Sequence, residues 1–267
     1  MHKKSNNEKG NDKTMKEVKL LAVGNSFTQD SLFYLHDLAK AGEVEVKAIN
    51  LYIGGCSLER HWNNVESEAK EYMYEENGKS TERYVSINEM LVEDNWDYII
   101  TEQASHDSGI KETYFPYLEQ LLECFKSKVP DAECLLQKTW AYEQDSDHGE
   151  FPRYNCNQQQ MYNQLSECYE EAAKRTGLRL IPSGDVIQSV RKREPFRYEL
   201  GEKSLCRDGF HMDMIYGRYL LSAVIYSFLF KKDIRENTFL PEGAETEGIE
   251  VIKQCVSEEM DFRTSSR

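Results

Sequence analysis

The chain has 267 residues and a formal charge of −14, from 33 Lys and Arg against 47 Asp and Glu. That length suits a single α/β domain with a sizeable core, and the acidic balance argues against a nucleic-acid backbone or an anionic membrane as partner. A hydrophobic share of 39% beside 30% charged residues describes a folded globular protein and excludes a disordered chain.

Residues 1–14 are polar, lack the apolar stretch of a secretion signal, and read as a disordered extension ahead of one domain over 15–267. Val18 to Val23 is a short, nearly continuous apolar run ending at Gly24, the pattern of a buried parallel strand. Asp30 stands where a helix cap belongs, ahead of Leu32, Phe33, Leu35 and Leu38 at helical spacing. A second strand, 44–52, runs into Gly54-Gly55, and the charged stretch from about 70 to 95 then breaks the rhythm as an irregular surface excursion. Strands follow at 97–101, 134–140 and 178–181, separated by helical patterns at 114–125 and 157–176, the latter closed by Gly177. The last helix, 214–230, is apolar nearly all round and should be well buried. This alternation predicts a five-stranded parallel sheet with helices on both faces. The most apolar run, 219–230, has 12 residues, short of the roughly 18 that span a bilayer. The seven cysteines are odd in number and form no CxxC pair, which predicts reduced thiols and a cytoplasmic location.

Ligands of such sheets sit beyond the carboxyl ends of the strands. Ser26 lies there, on the turn after the first strand, where backbone N–H groups at the start of a helix point to the same spot. A hydroxyl needs a base to become a nucleophile, and the anion it creates needs donors. Far along the chain, Asp208 and His211 are three apart, so one tight turn can set a carboxylate against one imidazole nitrogen and leave the other free as that base. His61, Trp140 and Tyr142 follow strand ends and are candidates for the wall of a substrate pocket, an aromatic face suiting a sugar ring. Residues 145–150 (Asp145-Ser146-Asp147-His148-Gly149-Glu150) have metal-ligating types but no second His at helical spacing, and read as a solvated loop. Cys56 adjoins the site without an evident base.

Gly24-Asn25-Ser26-Phe27-Thr28 resembles the first block of the SGNH (GDSL-like) hydrolases, with Asn25 where the family usually has Asp. Ile53-Gly54-Gly55-Cys56-Ser57 is similar to the second block and Asp208-Gly209-Phe210-His211 to the last, and the GNSFT wording resembles a largely uncharacterised branch. The resemblance spans residues 20 to about 215. It implies a flavodoxin-like three-layer α/β/α sandwich and a serine ester hydrolase working through an acyl-enzyme, with no metal or organic cofactor. Ser26 would be the nucleophile, His211 the base and Asp208 its orienting carboxylate. The Ser26 and Gly55 backbone N–H groups would hold the oxyanion. The family's G-x-N-D block is replaced by Glu102-Gln103-Ala104-Ser105, so Gln103 stands in for the Asn donor, with Ser105 as the alternative. The implied substrate is a small ester, an acetylated saccharide first, which makes the chain a carbohydrate O-acetylesterase. A lysophospholipase or acyl-thioesterase is the enzymatic alternative, and a non-catalytic sugar- or small-ligand-binding domain the other.

Overall fold

The computed structural model describes residues 16–265, and the extension expected at 1–14 lies outside them. The strands are β1 (Val18–Gly24), β2 (Val46–Tyr52), β3 (Tyr72–Glu76), β4 (Lys79–Val85), β5 (Tyr98–Thr101), β6 (Glu133–Gln137) and β7 (Arg179–Ile181). They form one sheet of order β4-β3-β2-β1-β5-β6-β7. The five strands expected from sequence are its parallel part, β2-β1-β5-β6-β7, whereas β3 and β4 add an antiparallel hairpin at one edge. The sheet therefore has seven strands, and much of the charged stretch at 70–95 is regular structure. Its signal is hidden because β4, KSTERYV, is an edge strand that leaves its charged residues in solvent and buries only Val85. β1 sits at the centre, covered on both faces, and so needs the continuous apolar run that Leu20 to Val23 supplies.

The helices are α1 (Ser26–Leu32), α2 (Leu35–Ala41), α3 (Leu58–Glu66), α4 (Ile87–Glu93), α5 (Tyr117–Lys128), α6 (Gln158–Thr176), α7 (Ser183–Val190), α8 (Tyr216–Phe230) and α9 (Thr246–Ser265). α1, α2, α7, α8 and α9 pack together as one layer, and α3, α4 and α5 as the other. α6 joins the second layer through Tyr169, whose ring meets Tyr114 just before α5. α8 lies between α1, α2 and α9, which is why it has almost no polar face. The capping residue expected at Asp30 is instead Asn25, whose side chain accepts the Phe27 N–H; Asp30 lies inside α1, completely buried. The helix expected after it is broken at Phe33-Tyr34 into α1 and α2. β6 stops at Gln137, so Trp140 lies three residues past the strand. All seven cysteines are free. Among the described residues no helix is long and apolar enough to cross a membrane.

Parallel pairing sets Val23 of β1 against Leu51 of β2 and Thr101 of β5, and Thr101 against Leu136 of β6. The segments leaving these four strands thus emerge side by side at one end of the sheet, where a site can be assembled from them.

Candidate active site

Ser26 is the first residue of α1, so its N–H has no acceptor within the helix. The next donors of the turn are engaged: Phe27 N–H donates to Asn25 Oδ1 at 2.9 Å, and Thr28 N–H to Glu102 Oε1 at 2.9 Å. One unengaged donor therefore lies beside the Ser26 hydroxyl. The Asn25 amide also donates to the Cys56 carbonyl at 3.2 Å, tying this turn to the Gly54-Gly55 turn after β2. Gly55 is exposed with φ +59°, a left-handed conformation that penalises any side chain.

Ser26 Oγ lies 2.9 Å from His211 Nε2, and His211 Nδ1 lies 2.7 Å from Asp208 Oδ2. Asp208 accepts at Nδ1, so that nitrogen carries a hydrogen and Nε2 is left to accept from the serine. The second Asp208 oxygen accepts the backbone N–H groups of Phe210 and His211, closing the turn that the three-residue spacing suggests. Partial burial works to raise the Asp208 carboxyl. The His211 ring and these N–H donors outweigh it and hold the carboxyl below its ordinary range.

The Asp208–His211 loop reaches α1 from far away in sequence, and Asp30 anchors it. Asp30 accepts from Arg207 Nη1 at 3.0 Å, from Arg218 Nε at 2.8 Å and from the Met212 N–H at 3.0 Å. Behind the site, Trp140 stacks on Phe27 with ring centroids 3.9 Å apart and donates its Nε1–H to the Phe210 carbonyl at 2.8 Å. It thereby braces the residue after the serine and the residue before the histidine together.

Several residues expected at the site have other work. Both hydrogens of the Gln103 amide are taken by Thr113, through its carbonyl at 2.9 Å and its hydroxyl at 3.0 Å. Its Oε1 accepts from the Leu58 N–H, so Gln103 is fully engaged in joining the loop after β5 to α3 and is not a spare oxyanion donor. Ser105 Oγ is 2.8 Å from the Tyr142 hydroxyl. Trp140, Tyr142 and His61 are completely buried and offer no face to a sugar. His61 Nδ1 is 2.8 Å from the Tyr72 hydroxyl and 3.4 Å from Cys56 Sγ, so Cys56 does have an imidazole neighbour. Burial, helped by Arg60, lowers that imidazole to about 3, while burial lifts the thiol to about 12, and the pair stays neutral. His148, in the polar loop at 145–150, is half-buried against Tyr142 and Phe210, with centroids 4.6 and 4.7 Å away. Among the described residues no group of three or more His, Cys, Asp or Glu is arranged to hold a metal ion.

Asp30, Glu102 and Arg218 are the contributors that the sequence reading missed as parts of a site. A charged residue inside a nearly all-apolar helix, as Arg218 is in α8, is the signal that could have found one of them.

A family model described as a domain of unknown function, DUF4886, matches residues 19–258. The crystal structure of a DUF4886 family protein from Bacteroides uniformis is 32% identical, with a TM-score of 0.86, over 93% of this chain and 96% of that one. A candidate SGNH hydrolase from Slackia heliotrinireducens is 20% identical over 79% of this chain and 98% of that one, with a TM-score of 0.54. A candidate GDSL-like lipase from Parabacteroides merdae is 15% identical over 80% and 95% respectively, also at 0.54. The fold is thus the one shared by SGNH-type structures. No curated protein matches.

Proposed function

We propose that this chain, which belongs to the DUF4886 family, is a serine ester hydrolase of the SGNH type that removes acetyl groups from saccharides. The observation that carries the reading is the unbroken hydrogen-bond line Ser26–His211–Asp208 at the carboxyl end of the sheet, beside an unengaged helix N–H. Ser26 Oγ attacks the ester carbonyl while His211 Nε2 takes its proton, and Asp208 stabilises the resulting imidazolium. The Ser26 and Gly55 N–H groups receive the oxyanion, each such donor typically contributing about 10² to 10³ in rate. The imidazolium then protonates the departing alcohol, and water, activated by the same nitrogen, frees the acid. The half-buried His148, packed on Phe210 next to His211, favours a leaving group that carries hydroxyls over an alkyl chain.

The test compares wild type and Ser26→Ala on 4-nitrophenyl acetate, a longer-chain ester and an acetylated oligosaccharide. Wild type is expected to prefer the acetyl substrates, and the variant to lose at least about 10³ of kcat. Faster cleavage of the long-chain ester would shift the reading to a lysophospholipase or thioesterase. An inert wild type, with the saccharide still binding, would make the chain a binding domain.

A further inference from the structure

Glu102, just past β5, is completely buried and aims its carboxyl at the first turn of α1. One oxygen, Oε1, accepts both the Thr28 N–H at 2.9 Å and the Thr28 hydroxyl at 2.5 Å. The other, Oε2, is buried with no partner. The approach depends on Gly24, since a Cβ there would lie 2.0 Å from Thr28 Oγ1. No lysine, arginine or histidine among the described residues pairs with Glu102. The groups that face it are Asp30 of α1, an anion bound to its own arginines Arg207 and Arg218, and Tyr169 of α6, whose hydroxyl receives the Gln103 N–H. A buried carboxylate with no cation is far more costly than a buried hydroxyl with no acceptor, so the site favours the protonated acid.

We propose that Glu102 is a positioning residue that works in its protonated form, holding the Thr28 end of the nucleophile turn while leaving the Ser26 N–H free for the oxyanion. Ionising it places a negative charge two residues from Ser26, against the anion that develops during acyl transfer, and turns the site off. Burial, opposed by the Thr28 and Asn25 donors and reinforced by the Asp30 charge, pushes this carboxyl up to about 8. Hydrolysis should therefore have an alkaline fall that a Ser–His–Asp line alone does not produce. This inference rests on the esterase reading above.

The experiment is the pH profile of kcat and KM on 4-nitrophenyl acetate, corrected for spontaneous hydrolysis, for wild type and Glu102→Gln. Wild-type kcat should fall to about a tenth between about pH 7 and pH 9, with KM little changed, as expected for loss of one proton near 8. E102Q, whatever its rate at pH 7, should hold that rate through pH 9. Thr28→Val keeps the carboxyl but deletes a donor that favours its ionised form, so it should move the fall to higher pH. Superimposable profiles for wild type and E102Q, or an alkaline fall that T28V leaves in place, would overturn the proposal.

Thermal unfolding gives a readout independent of catalysis. The folded carboxyl holds its proton up to about 8, against about 4.3 in the unfolded chain. Stability from Glu102 is thus fully present below the unfolded value and is lost as pH rises through the folded one. The wild-type melting temperature should fall relative to that of E102Q across this window and run parallel to it above. A parallel course throughout would show that Glu102 is ionised and sink the proposal. If wild type hydrolyses no ester, the catalytic role falls with the esterase reading, and a persisting unfolding difference identifies that failure.

Discussion

Asp30 and Glu102 both have completely buried side chains and both contact α1, Asp30 from within the helix and Glu102 from the end of β5. Asp30 receives two guanidinium groups and a backbone N–H, whereas Glu102 receives uncharged donors alone, from Thr28 and the Asn25 backbone. Burial is the same; the partners differ. A carboxylate matched by cations ties distant segments of chain together, and one without them favours the neutral acid and becomes sensitive to pH. The protein thus fixes the Asp208–His211 half of its site with ions and the Ser26 half with neutral hydrogen bonds.

Removing the anchor should have the largest effect. Asp30→Ala leaves Arg207 and Arg218 without their carboxylate and should cost about 3–5 kcal/mol of stability by chemical denaturation. It should also lower kcat, because the loop carrying His211 loses its tie to α1. A loss below about 1 kcal/mol would mean that the two arginines find water or other acceptors, and the contrast between the carboxyls would disappear. Thr28→Val comes next. It removes a buried donor to Glu102 with little change of shape and should cost about 1–3 kcal/mol. A stability equal to wild type would place the Thr28 hydroxyl bond among the dispensable ones. Smallest is Asn25→Ala, which deletes the cap and the link to the Cys56 carbonyl, at about 1 kcal/mol. If denaturation shows it costing more than Asp30→Ala, the serine half is the more firmly built one.

Much of the fold could be read from local pattern. The five parallel strands are apolar runs bounded by turn residues, and the long α6 carries its own cap at Asn157 and stop at Gly177. The antiparallel hairpin could not be read this way, because β4 is solvated and has no buried face to set a period. α9 escaped because its charged residues interrupt the apolar stripe that Ile249, Ile252 and Val256 form against α7 and α8. In the site, Ser26, Asp208 and His211 stand out as residue types at telling positions, and the structure brings the three into hydrogen-bonding line. Gln103 and Trp140 have equally suggestive positions after strand ends, yet side-chain direction decides their roles. Gln103 turns to Thr113, and Trp140 turns inward under Phe27. Asp30 and Glu102 could not be assigned from spacing at all, since their partners lie 74 or more residues away.

The Asp30 anchor also bears on how the chain is made. Arg207 and Arg218 follow Asp30 by 177 and 188 residues, so a growing polypeptide holds the serine segment long before either cation leaves the ribosome. Until they arrive, docking α1 would leave the Asp30 carboxyl buried without a cation, so it would have to take up a proton or hold the helix less firmly. In the folded chain α1 is covered by α8, which carries Arg218 and is made 190 residues after the helix bearing the serine begins. A chain that stops short of residue 207 therefore carries Ser26 and Asp30 without either of the arginines that tie the distant loop to α1.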